Sequence, residues 1–183
     1  MKILTGSLKG QSIVYRPNPH LRPTADKVRK ALFDALQGRF EGKVVLDLFS
    51  GTGALGFEAL SHGAERVTFV EKDRGQCAKI IQTTEKLELD AKVEVLCADA
   101  LEALSKFSLQ SRFFDIVFMD PPYEKGLCLK ALETIGASSL IGQGTLLIAE
   151  SRKREIFPKE SGKLKRIKEK VYGDTQIGFY QAP

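Results

Sequence analysis

The chain has 183 residues, 43% of them hydrophobic, and a formal net charge of +5; that is enough for one domain with a real core and a small appendage. No stretch approaches a membrane span and no signal-like apolar run opens the chain, so neither secretion nor membrane insertion is indicated and a cytoplasmic monomer is expected. Cys77, Cys97 and Cys128 fit neither zinc spacing nor a disulfide framework, so no metal is expected and the thiols are expected to be reduced.

In chain order, two short apolar runs at residues 2–5 and 12–15 flank G-S-L-K-G and predict an N-terminal β-hairpin. R-P-N-P-H-L-R-P at 16–23 is an extended linker. Thr24 is placed to cap a helix over 25–37, with Val28, Ala31, Leu32 and Ala35 as its apolar stripe. The pattern then alternates. Strands are predicted at 44–48, 67–71, 93–97, 114–119 and 145–149, and helices at 54–61, 74–87, 101–107 and 127–135. Two further strands, 164–172 and 176–181, are joined by G-D-T as an antiparallel pair. The expected fold is α/β and Rossmann-like: a mostly parallel sheet with an antiparallel C-terminal strand. Residues 1–23 form a hairpin and linker, and 24–183 form the main domain.

Charge is unevenly spread. Residues 1–43 carry net +6, 44–150 net −6 and 151–183 net +5. Basic ends around an acidic middle suggest an anionic partner at the ends and a cationic or zwitterionic one in the centre.

The centre holds V-V-L-D-L-F-S-G-T-G-A-L-G, residues 44–56, in which Gly51, Gly53 and Gly56 fit G-x-G-x-x-G between a strand and a helix. A dinucleotide would set a pyrophosphate over this loop. Asp47, four residues before Gly51, would repel it. S-adenosylmethionine has no phosphate and carries an ammonium and a sulfonium, which Asp47 favours. Glu71 at the next strand end suits ribose hydroxyls, and Asp99 after the third strand suits an adenine amino group.

The strand F-D-I-V-F-M ends in D-P-P-Y, residues 120–123. An exocyclic base amine is a poor nucleophile because its lone pair is conjugated into the ring. Acceptors on its two N–H groups draw the lone pair out: the Asp120 carboxylate and the Pro121 carbonyl. Pro121 and Pro122 fix that carbonyl, and Tyr123 is placed to stack on a flipped base.

These stretches, together with R-P-T-A-D-K-V-R-K-A-L-F, F-V-E-K-D and Y-G-D-T, resemble the RsmD family, bacterial 16S ribosomal RNA guanine-N2 methyltransferases of the class I fold. The resemblance covers almost the whole chain. It implies S-adenosylmethionine as donor, S-adenosylhomocysteine as product, and 16S rRNA in a partly assembled 30S subunit as substrate, with ribosomal proteins as potential partners. It assigns the cofactor to Asp47, Phe49, Ser50, Gly51, Thr52, Gly53, Glu71 with Lys72 after it, and Asp99 with Ala100 after it. It assigns the reaction to Asp120, Pro121, Pro122 and Tyr123.

Charge alone nominates the RNA contacts: Arg22, Lys27, Arg29 and Lys30 near the first helix, and Arg166, Lys168 and Lys170 alternating on one face of a late strand. D-P-P-Y itself does not choose guanine over adenine, so an adenine-N6 DNA or RNA methyltransferase is the alternative. A nicotinamide-dependent oxidoreductase is opposed by Asp47, and a non-catalytic RNA-binding module leaves D-P-P-Y unexplained.

Overall fold

A computed structural model describes residues 1–16, 23–122, 126–155 and 157–183, with the backbone alone at 23–25. Helix α1 (Pro23–Ala35) leads into β1 (Val44–Asp47), α2 (Ala54–Ser61), β2 (Arg66–Glu71), α3 (Arg74–Lys86) and β3 (Val93–Cys97). Then come α4 (Ala100–Leu109), β4 (Ile116–Met119), α5 (Leu127–Ala137), β5 (Leu146–Arg152), β6 (Glu160–Ser161), β7 (Leu164–Tyr172) and β8 (Thr175–Gln181). The strands make one sheet in the order β3-β2-β1-β4-β5-β8-β7-β6. β1 to β5 are parallel, while β8 runs antiparallel to both β5 and β7. The order reverses at β1, so β1 and β4 part at their carboxyl ends, where open α/β sheets bind ligands.

Each face of the sheet buries its own core. Leu46, Val117, Met119, Leu147 and Tyr180 pack with α4 and α5. Val45, Phe69, Phe118, Ile148, Ile177 and Phe179 pack with α1, α2 and α3. The central strands are apolar on both sides because both sides are covered. Gly56 lets α2 lie on β2, since a Cβ there would collide with the Phe69 ring.

Four local expectations change. Helix α1 starts at Pro23, so Thr24 lies within its first turn instead of capping it; proline suits that first position because its missing N–H is not needed there. The N-terminal hairpin reduces to one antiparallel bridge, Lys2↔Ser12. Its Ile3 and Ile13 are buried in the same core as α1, and the segment is held by Glu58 of α2, whose carboxylate accepts from the backbone N–H of Leu4 and Thr5. β5 runs on past Ala149 to Arg152, because β8 pairs with it as far as Arg152↔Thr175. Finally, β7 carries a bulge at Ile167, between Arg166↔Tyr180 and Lys168↔Phe179.

That bulge corrects the late basic strand. One extra residue moves the rest of the strand to the other face. Lys168 and Lys170 pair with Phe179 and Ile177 and share the α1 face, whereas Arg166 pairs with Tyr180 on the opposite face. There Arg166 donates to the Phe157 carbonyl at 3.0 Å and to Glu169 at 2.5 Å. Arg29 is corrected too. It is 6% exposed, donates to the Lys2 carbonyl, and lies 3.3 Å from Glu58, which is fully buried. It ties the N-terminal segment to α2 and does not face a phosphate.

Candidate active site

The site is assembled from strand ends. Asp47 closes β1 and is 1% exposed. Its Oδ2 accepts from the Gly56 N–H at 3.0 Å, joining the end of β1 to α2. Burial pushes its carboxyl up to about 7; the Gly56 N–H pulls the other way, and the charges of Asp120 and Glu71 add to the rise. The loop between them turns through Gly51 and Gly53, both at positive φ, which glycine adopts without a Cβ penalty. Ser50 builds this loop. Its hydroxyl lies 2.7 Å from the Asp47 carbonyl and 3.1 Å from that of Val70, so it is turned to the protein.

Glu71 closes β2. Its Oε2 accepts from Gly51 N–H and its Oε1 from Asp73 N–H, each at 2.8 Å. The carboxylate is thus aimed across the loop, with lone pairs left for a further donor. Behind it, Cys77 Sγ hydrogen-bonds the Glu71 carbonyl at 3.2 Å. Asp99 caps α4 through Oδ1, accepting from Leu101 N–H at 2.9 Å, and is exposed. Phe49 and Thr52 are half-buried, Gly53 and Ala100 are buried, and Lys72 is exposed. The predicted cofactor residues therefore gather at the ends of β1, β2 and β3.

Asp120 follows β4 directly. Part of its surface is open to solvent, yet desolvation holds its carboxyl above the usual carboxylate range. Pro121 is buried and Pro122 exposed. Tyr123 and Arg22 lie outside the described residues.

One further acid belongs to the site and is not nominated by the sequence patterns. Glu150 lies on β5 one residue past the predicted strand end, half-buried, and pairs with Ile177. Burial, and then the Asp120 charge, hold its carboxyl well above the usual range. A signal for it exists: acids end or follow four other strands, and L-L-I-A-E places a fifth at an equivalent point. Among the described residues no donor meets the side chains of Asp120 or Glu150, whereas Asp47, Glu71 and Asp99 all accept from backbone N–H groups.

Register fixes the faces. Met119 pairs with Ala149, so Asp120 and Glu150 follow at neighbouring positions. Ile177 links Glu150 to Lys170, and Phe118, Ile148 and Phe179 link Asp47 to Lys168. Lys170 thus lies two strands from Glu150 on the same face, about 10 Å away. Lys27 is exposed on α1, and Lys30, also exposed, pairs with Asp34 at 2.7 Å. A surface depression lined by Arg39, Lys43, Asp115 and Gln143 lies at the opposite, amino end of the strands and has no such convergence.

A family model described as "Conserved hypothetical protein 95" matches residues 1–181. The chain belongs to the RsmD family. A ribosomal RNA small subunit methyltransferase D of Haemophilus influenzae is 31% identical over 183 residues, 99% of this chain and 93% of that protein. The solved structure of a hypothetical protein from Thermus thermophilus superposes with a TM-score of 0.80 at 27% identity, covering 98% of each chain. A solved S-adenosylmethionine-dependent methyltransferase of Agrobacterium tumefaciens is only 16% identical, with a TM-score of 0.66, and covers 89% of this chain and 63% of that one. It shares the class I methyltransferase fold, and no more is taken from it.

Proposed function

We propose that this family member transfers a methyl group from S-adenosylmethionine to the exocyclic N2 amine of a guanine in 16S rRNA. The observation that carries the reading is the division of the acids. Three at the ends of β1 to β3 are held by backbone N–H groups, and Asp120 at the adjoining end of β4 has no such partner among the described residues.

The residues fit the cofactor. A buried carboxyl with a single N–H partner suits an ammonium, and it opposes a pyrophosphate over the same loop. Asp47 would hold the amino acid end, Glu71 the ribose and Asp99 the adenine. When bound, S-adenosylmethionine supplies a methyl group made electrophilic by its sulfonium. The chain's own part is to hold the amine. Asp120 and the Pro121 carbonyl accept its N–H groups, and Tyr123 is assigned the stacking surface. No strong base is needed before attack, because the product ammonium is acidic and releases its proton to Asp120 or water. Lys27, Lys168 and Lys170 grip phosphates beside the flipped base. A partly assembled small subunit is the proposed substrate.

The test maps methylated guanines in 16S rRNA from cells with and without this gene. One N2-methylguanine present only with the gene supports the reading, and identical maps refute it. Thermal shift with S-adenosylhomocysteine against NAD checks the cofactor separately.

A further inference from the structure

The D-P-P-Y turn can hold the amine of either adenine or guanine, so it leaves the choice of base open. Glu150 lies beside it. The parallel pairing of β4 with β5 puts Glu150 next to Asp120, on the side away from β1 to β3 and their cofactor acids. Its strand partner Ile177 belongs to the core on the α1 face, the face also shared by Asp47 through Phe118. The described groups around it are Asp120 on β4, Asp47 beyond it on β1, Arg152 two residues along its own strand, Lys170 two strands away on the same face, and from α5 the Cys128 thiol, which donates to the Glu150 backbone carbonyl; the Asp120 charge adds to the rise of its carboxyl. No described N–H or O–H reaches its side chain. A half-buried acceptor beside a second acceptor calls for a ligand edge with adjacent donors.

Resting on the guanine-N2 reading, we infer that Glu150 is the specificity-determining residue, accepting the N1–H of the target guanine while Asp120 accepts from its N2 amine. Guanine presents N1–H and N2–H side by side, and two neighbouring carboxylates match them. Burial and the Asp120 charge raise the Glu150 carboxyl to about 8, so the pair keeps a proton near neutral pH and carries both charges only above it, where their mutual repulsion is relieved when both receive donors. Adenine presents a lone pair at N1, which a carboxylate opposes. The base is thus selected both by an attraction and by a repulsion.

The test, run at about pH 8.5 where Glu150 is ionised, uses small subunits whose RNA carries either guanine or 2-aminopurine at the mapped position. Both bases bear the same amine at C2, but 2-aminopurine has a lone pair at N1. Wild type should favour guanine by roughly 10- to 100-fold, the range of one hydrogen bond to a charged group. Glu150→Gln should lose most of that preference, because its amide N–H can meet the bare N1. Glu150→Asp, which keeps the carboxylate, should retain the preference at a lower rate. S-adenosylhomocysteine affinity and thermal midpoint, measured alongside, should stay near wild type. If Glu150→Gln does not fold, Glu150→Ser removes the carboxylate with less bulk and should show the same loss. An unchanged ratio in folded Glu150→Gln or Glu150→Ser, or a wild type that treats both bases alike, overturns the assignment. Failure of wild type to methylate guanine at all would instead sink the underlying function.

Discussion

Asp47 shows what one buried carboxyl does to the chemistry around it. The group titrates near 3.8 when free and at about 7 in the folded chain. Between those values the folded state holds a proton that the unfolded state has released. Stability from this group is therefore fully present at low pH and falls as pH rises from about 4 through about 7. Asp47→Asn should remove that slope, which urea melts across the window would show. Cofactor binding should run the other way, since its ammonium favours the ionised carboxyl. Affinity for S-adenosylhomocysteine should rise by up to ~tenfold per pH unit between pH 5 and 7, with proton release seen by calorimetry in two buffers. A flat profile would remove Asp47 from the ammonium. Glu71→Ala should weaken the same affinity by on the order of 1.5–3 kcal/mol, with some of the loss coming from the freed Gly51 N–H. Unchanged binding would take Glu71 off the ribose.

At the level of elements, packing decided where propensity did not. The alternation of strands and helices, the glycine loop and four of the five site acids were legible because burial on both faces leaves continuous apolar runs ended by polar residues. Glu150 was not, because the run L-L-I-A stops before it; only the pairing of β8 carries the strand further. Arg166 and Lys168 looked alike in sequence, and the bulge at Ile167 separated them. Arg29 looked like a surface cation on a basic helix, but an acid on α2 lies beneath it. Glu58 is fully buried and serves Arg29, Leu4 and Thr5 together. Glu58→Ala leaves a guanidinium buried without its main partner, so it should cost ~3–5 kcal/mol in chemical denaturation. A loss below about 1 kcal/mol would mean that the N-terminal segment is held by its apolar packing alone.

Across the whole molecule, one sheet orders two kinds of charge along a single edge. Acids occupy the carboxyl ends of β1, β2, β4 and β5, and Lys168 and Lys170 continue the same rows on β7. In the proposed reading the acids meet a cofactor and a base, and the lysines meet an RNA backbone. Lys168→Glu with Lys170→Glu should therefore weaken binding to small subunits and flatten its salt dependence by about one unit of slope for each phosphate no longer neutralised, leaving S-adenosylhomocysteine affinity intact. Arg166→Glu should lower stability without that change in slope. Equal slopes in all three proteins would place the RNA elsewhere. The central claim is that the strand-end acids divide into a cofactor set and an acceptor set. Its most direct test gives purified wild type and Asp120→Ala labelled S-adenosylmethionine and small subunits from cells lacking the gene, then identifies the labelled nucleoside after digestion. Wild type should yield N2-methylguanosine, while Asp120→Ala yields none and still binds S-adenosylhomocysteine. Label appearing as N6-methyladenosine, or near-normal transfer by Asp120→Ala, would contradict the account.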